Sequence, residues 1–499
     1  MKTLIFFIIT ISSSLALASP SQETYLQQFF AEFEKSPQRA MSQTPPKFDS
    51  NGEQVFEDSS FFTIDQIQSL NFVDIKITQR PQVMSKQPLA GITPSNDWRR
   101  FFSRSTQVLT DVRDLTGPLQ NKSVEVSPWS GDYWPTYRGG IGARYSDASY
   151  PQTRRADDYI RYYERNKNIN LNNRDVVDDL SPAEKYDILV GDENFGLTRW
   201  TWSEIKHTLD SQGSIPTWFG LCHGWAPASY MMPRPLKAVD VAIKNFKGVS
   251  FTLRLYPDDL KALISLLWAN AQTPTHFIGG RCDSKGSRTD SNGRIINEEC
   301  FDVNPGAWHL TMINQVGVSK RSFIMDATWD AEVWNQPIKS YKVLYFNPQS
   351  RRTASNIESA IIDINDYNRD PFRKYRSPQT RSVVGVNMEV EYVIETAASH
   401  AQVDSPQSDI TRRVQYIYDL ELDSQGQVIG GEWFQNAHPD FLWTPTANSR
   451  ASSFVDHLLT TPWDGEASVP LEWRPYAPQA SRNGQPMAKV IEVLLQRAR

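Results

Sequence analysis

Apolar residues recur every three to four positions from Gln22 to Lys35, which puts Leu26, Phe29, Phe30 and Phe33 on one stripe and predicts an amphipathic helix. The same spacing predicts a helix from about Trp98 to Leu115 and a shorter one over Asp157 to Asn168. Ser181-Pro182-Ala183-Glu184 has the capping-box pattern with proline at the first helical position, so a helix should start there. Val249 to Tyr256 alternates as a strand. A helix capped by Asp258 follows, with Leu260, Leu263, Ile264, Leu267 and Trp268 on one face. Two apolar runs, Trp308 to Val316 and Ser322 to Thr328, flank Gly317 to Arg321 and predict a β-hairpin. Val384 to Ile394 alternates as a strand, and Tyr416 to Leu422 turns back through Asp423 to Gly426 into Val428 to Trp433. The order of elements predicts an α+β fold: a helical N-terminal region over 19–178, a core over 179–378 and a strand-rich C-terminal region over 379–499.

The first residues, 1–18, read as an export signal. Lys2 precedes the apolar run Leu4 to Ile11, and Ala16-Leu17-Ala18 offers small residues for cleavage before Ser19. The expected product is secreted, with no membrane span once the signal is removed, since the best later apolar stretch, Ala262 to Ala269, is too short. Net charge is −5 and no basic block occurs, which argues against nucleic acid as a partner. Cysteine is scarce, and in an oxidising compartment the odd count matters. Cys282 and Cys300 bracket a polar loop and form the natural bridge, worth about 3 kcal/mol in the chain-entropy picture. That pairing leaves Cys222 free.

Cys222 sits in Trp218-Phe219-Gly220-Leu221-Cys222-His223-Gly224-Trp225-Ala226-Pro227, a loop turning into a helix. A thiol at a helix N-terminus is acidified by the dipole, and the free N–H groups there can hold an oxyanion. Pro227 predicts a kinked or late helix. Neighbouring side chains diverge on a helix, so His223 is poorly placed as a base. His309, on the first strand of the expected hairpin, and Asp326, on the second, fall near each other across it. Cys222, His309 and Asp326 are therefore the candidate nucleophile, base and orienting acid. Trp218 and Trp308 are candidates for the pocket and oxyanion surroundings, with Trp225 and Trp329 as further aromatic walls that would exclude water. Asp290, Asn292 and Glu299 resemble a fragment of a calcium loop, although Arg288 occupies the first ligand position.

Three stretches resemble the oomycete cell-wall transglutaminases that act as plant elicitors: Val333 to Val343 (VWNQPIKSYKV), Gly220 to Ala228, and Ala307 to Leu310. Tyr418 to Trp433 and His438 to Trp443 resemble the same family. The likeness runs most strongly from about Ser181 to Pro445 and differs conservatively from the elicitor segment at Ile338, Lys339, Ser340 and Tyr341. It implies a papain-like core and a protein-glutamine γ-glutamyltransferase that joins glutamine to lysine side chains through a cysteine thioester. It also implies a precursor whose pro-region lies within 19–178. The sequence itself requires no cofactor, while the resemblance admits calcium. The same triad would serve a cysteine protease or a glutamine deamidase, and a surface adhesion module is the reading without chemistry.

Overall fold

Ser21 accepts the amide of Thr24 and starts the helix Gln22–Lys35 (α1), the span its periodicity predicts. The computed structural model describes residues 20–55 and 92–499, apart from 104, 170, 172, 245–247, 249, 282–287 and 330–331. The export signal and Cys282 lie outside the described residues. The apolar stripe of α1 packs Phe29, Phe30 and Phe33 against Phe346, Phe372 and Phe434, with Phe30 5.1 Å from the Phe434 ring. Each buried phenylalanine contributes about 2–3 kcal/mol from apolar area alone. Gln22 closes the helix start onto the sheet by donating to the carbonyls of Lys342 and Asn387 at 3.0 and 2.9 Å.

The architecture is α+β and is built on a large antiparallel sheet. The strands that concern the site are Lys47–Asp49 (β1), Thr275–Gly279 (β2), Ile324–Asp326 (β3), Asn335–Asn347 (β4), Ser382–Ile394 (β5), Ile410–Leu422 (β6), Val428–Trp433 (β7) and Phe441–Pro445 (β8). The sheet runs in the order β1-β6-β5-β4-β3-β8-β2, with β7 on β6. It therefore joins strands from all three sequence regions, and β4 pairs with β5 across the expected boundary at 378/379. The strands β5 and β6 and the return into β7 follow the alternating pattern of the sequence.

One expected element is replaced. The segment predicted as the first hairpin strand is the helix Pro305–Thr311, which runs on through π-type turns over Met312–Val318. The cause is local: the Asn304 side chain accepts the amides of Gly306 and Ala307, and Pro305 presets the first helical turn. The segment is buried on every side, its polar residues His309, Thr311, Asn314 and Gln315 included, so no solvent-facing stripe marks a period. The predicted helix from Trp98 also shrinks, to a 3-10 turn over Trp98–Phe101. The serines and threonine that follow compete with helical backbone bonds.

Two further helices frame the nucleophile candidate, Cys222–Met231 (α2) and Pro257–Asn270 (α3). Helix α2 begins at Cys222 itself and carries Pro227 inside it, so the helix is not delayed by the proline. Its backbone closes on α3 at Gly224, where a Cβ would lie 2.1 Å from the Ser265 carbonyl oxygen, so only glycine fits. Helix α3 is pinned in turn by a buried ion pair, Lys185 Nζ to Asp259 Oδ2 at 2.7 Å. The Ser181 capping box forms as the sequence predicts.

Candidate active site

Cys222 is a free thiol, 5% exposed, at the first position of α2. Its S–H points at the Val333 carbonyl, 3.8 Å away, and the Asn335 amide nitrogen donates to Sγ at 3.4 Å. The amides at the start of a helix have no carbonyl four residues back, so this turn offers N–H groups to an anion. The loop before it is held by the N-terminal region. The Leu221 amide donates to the Tyr133 carbonyl at 2.5 Å, and the Tyr133 hydroxyl donates to the Thr217 carbonyl at 2.8 Å. A Cβ on Gly220 would meet that same Tyr133 oxygen at 2.5 Å, so the chain passes closely here.

Strand register brings a carboxylate alongside. Asp326 on β3 faces Asn335 on β4 across one rung, and Met325 pairs with Leu442 on β8. Asp326 is fully buried, and its Oδ1 accepts from the Thr328 hydroxyl at 2.9 Å and the Trp334 amide at 3.0 Å. Its Oδ2 has no partner among the described residues. Burial pushes the Asp326 carboxyl up to about 7 against the pull of those donors. Burial also pushes the Cys222 thiol up to about 11; the Asn335 donor opposes this, and the charges of Glu395 and Asp326 add to it. Asp302 interacts with Asp326, and its Oδ1 has no partner among the described residues. Burial first, then the charge of Asp326, holds Asp302 well above the usual carboxylate range. Burial and their mutual charge therefore favour the protonated form of both carboxyls, which titrate as a pair.

An apolar wall completes the site: Trp218, Val333 and Phe441, flanked by Phe219, Phe277, Trp334 and Trp443. The Tyr133 ring packs 5.4 Å from that of Trp334.

Residues 97–460 match the sequence model of the transglutaminase elicitor family. The chain belongs to the transglutaminase elicitor family. Among solved structures, that of the GP42 transglutaminase from Phytophthora sojae superposes with a TM-score of 0.51 at 23% identity, covering 84% of this chain and 99% of that one. No curated protein matches the chain.

In this transglutaminase-elicitor chain the structure brings together Cys222, Asp326 and Trp218 but not His309. The His309 ring is bonded at Nδ1 to the Tyr418 hydroxyl, 2.8 Å away, and at Nε2 to that of Tyr345, 3.2 Å away. Tyr345 and Asn335 both lie on β4 and are ten residues apart, about 30 Å of strand at 3.3 Å per residue. His309 therefore stands at the far end of the strand that touches Cys222, and it does so on a helix rather than on the expected hairpin strand. Burial drives its pKa down to about 3, so it stays neutral. Trp308, beside it, is likewise core rather than pocket wall, packed edge-on against Phe323 and Tyr416. Trp225 is fully buried and donates to the Trp129 carbonyl at 3.2 Å, while Trp329 is exposed. His223 is not the missing base either: burial lowers its pKa, and its ring bonds the Gly220 backbone.

Two of the three residues proposed for calcium, Asp290 and Asn292, are already engaged by protein donors and acceptors. Asp290 Oδ2 already faces the ammonium of Lys374 at 3.3 Å and accepts from the Tyr375 hydroxyl at 2.8 Å, and its Oδ1 takes the Asn292 and Arg294 amides. The Asn292 side chain donates to the Pro371 carbonyl, and the Glu299 side chain lies outside the described residues. Among the described residues, no three His, Cys, Asp or Glu side chains converge as a metal set.

Sequence reasoning missed Asn335, Asp302, Tyr133 and Trp443. Asn335 and Trp443 stand inside two of the stretches that carry the family likeness, Val333–Val343 and His438–Trp443. That was the available signal, since Asn335 is 113 residues from Cys222 and no spacing rule links them.

Proposed function

We propose that this chain is a secreted protein-glutamine γ-glutamyltransferase in which Cys222 is the nucleophile and Asp326 the general base. The observation that carries this reading is the buried thiol at a helix N-terminus, with the Asn335 amide donor at 3.4 Å and, directly across the strand pair from Asn335, a buried carboxylate with one oxygen unengaged among the described residues. The arrangement is papain-like in plan, a helix-borne cysteine laid on an antiparallel sheet, with a carboxylate in place of an imidazole beside it. Family membership supports acyl transfer, and the aromatic wall supports transfer over hydrolysis because it keeps water from the acyl group.

The resting pair above neutral pH is a thiol and a carboxylate, because the thiol is the weaker acid. Asp326 accepts the thiol proton as sulfur attacks the side-chain amide carbon of a glutamine. The oxyanion is met by the first amides of α2, and the tetrahedral intermediate collapses with loss of ammonia, which carries the proton away. A lysine amine then attacks the thioester carbon and gives its proton to Asp326. The C–S bond breaks, and the thiolate takes that proton back. Water in place of the amine gives deamidation. A precursor cut upstream of Trp129 would leave the Tyr133 contacts to the nucleophile loop, and so the frame around Leu221, intact.

Incubation with a glutamine-containing protein and a fluorescent amine tests the reading. Covalent labelling without peptide cleavage is expected, and cleavage without labelling would favour a protease. Because Asp326 works only as the carboxylate and its pKa is raised to about 7, kcat/KM should climb with pH through neutrality. The slope should be about tenfold per unit below that point, with a plateau above it. A profile flat from mildly acidic to neutral pH would exclude Asp326 as the base.

A further inference from the structure

The side chain of Asn335 bridges two neighbours. Its Nδ2 donates to Cys222 Sγ at 3.4 Å, and its Oδ1 accepts the indole N–H of Trp443 at 2.7 Å. Asn335 is 1% exposed, so neither end of the amide can turn to water instead. Trp443 stands on β8, two strands from Asn335, and its ring reaches over β3 to make the contact. Its neighbours are the apolar side chains Phe277, Phe441 and Trp218.

An indole nitrogen only donates, whereas a carboxamide has one donating and one accepting end. If the amide flipped, two N–H groups would face each other at the indole, and a lone pair would face the sulfur. A buried donor left without an acceptor is costly, so the indole decides which way the amide lies. We propose that Trp443 is a positioning residue for the nucleophile: its N–H locks the Asn335 amide with the NH2 toward Sγ, so that the amide donates to the thiolate as it forms. This deepens the proposed reading of Cys222 as nucleophile. Trp443 does not touch the reacting atoms and acts through Asn335. The donor it orients favours the anion, in opposition to the burial and negative charge that favour the thiol.

The test is the pH dependence of Cys222 alkylation by iodoacetamide in the full chain, with circular dichroism as a check on folding. Trp443→Phe keeps the aromatic packing and removes the N–H. Alkylation at a fixed pH below the thiol pKa should slow about tenfold, the scale of a hydrogen bond to a charged group, and the profile should move to higher pH. Asn335→Leu should slow it at least as much, and the double variant should be no slower than Asn335→Leu alone, since the indole acts only through the amide. If Trp443→Phe does not fold, placing benzothienylalanine at that one position keeps the shape of the ring, lacks the N–H, and should give the same shift. An unmoved profile in either Trp443 variant overturns the inference, as would losses that multiply in the double variant. Alkylation requires no transfer activity. A shifted profile in a protein that incorporates no amine therefore keeps the lock and removes the transferase, while amine incorporation with an unmoved profile does the reverse.

Discussion

Replacing Cys222 with alanine is expected to abolish amine incorporation, with a loss of at least about 10³-fold, the scale seen when a nucleophile is removed from an acyl-transfer enzyme. The variant should fold. Cys222 is small and buried at the start of α2, and losing one sulfur from such a site costs about 1 kcal/mol. Measuring fluorescent-amine transfer beside a thermal melt separates the two effects. A Cys222→Ala protein that still incorporates amine would end the enzymatic reading, and one that retains only binding to a surface partner would favour the adhesion alternative.

The second large effect separates Asp326 from His309. Asp326→Asn keeps the shape and the Thr328 and Trp334 contacts but cannot accept a proton. It should lower kcat by about 10²–10⁴-fold, the usual contribution of a positioned base. His309→Gln should behave differently. Its ring holds the hydroxyls of Tyr418 and Tyr345 in a dry core, so the substitution should cost about 1–3 kcal/mol of stability through imperfectly paired polar groups. It should leave kcat of the folded fraction near that of the parent. A His309 variant that folds and loses turnover as severely as Asp326→Asn would restore the histidine to the chemistry and displace the carboxylate.

Much of the fold was legible where a local signal marks the element, whether an apolar stripe, a capping box or a period of two. The stripe of α1, the Ser181 capping box, and the alternation through β5, β6 and β7 all appear where the sequence predicts them. The prediction failed where the period itself is ambiguous. Trp308 to Val316 is buried throughout, its polar residues His309, Thr311, Asn314 and Gln315 included, and such a run fits a strand as readily as a helix. Asn304-Pro305 was the signal that distinguished them, a side-chain cap followed by proline at the first turn. That misreading set His309 opposite Asp326, and the family likeness of Ala307 to Leu310 also carried it into the candidate triad. Cys222 was legible from local context, and Asp326 was selected for a partner it does not have. Its neighbour across the rung is Asn335, supplied by a register that only the assembled sheet specifies.

Acyl transfer by this chain should pass through a thioester on Cys222. Mixing the protein with a glutamine peptide in the absence of any amine, quenching in acid within the first turnover and mapping the digest by mass spectrometry tests it directly. The expected result is an adduct of the peptide less ammonia on the fragment that contains Cys222, released by added amine. An adduct on another residue, or turnover with none on Cys222, would contradict it.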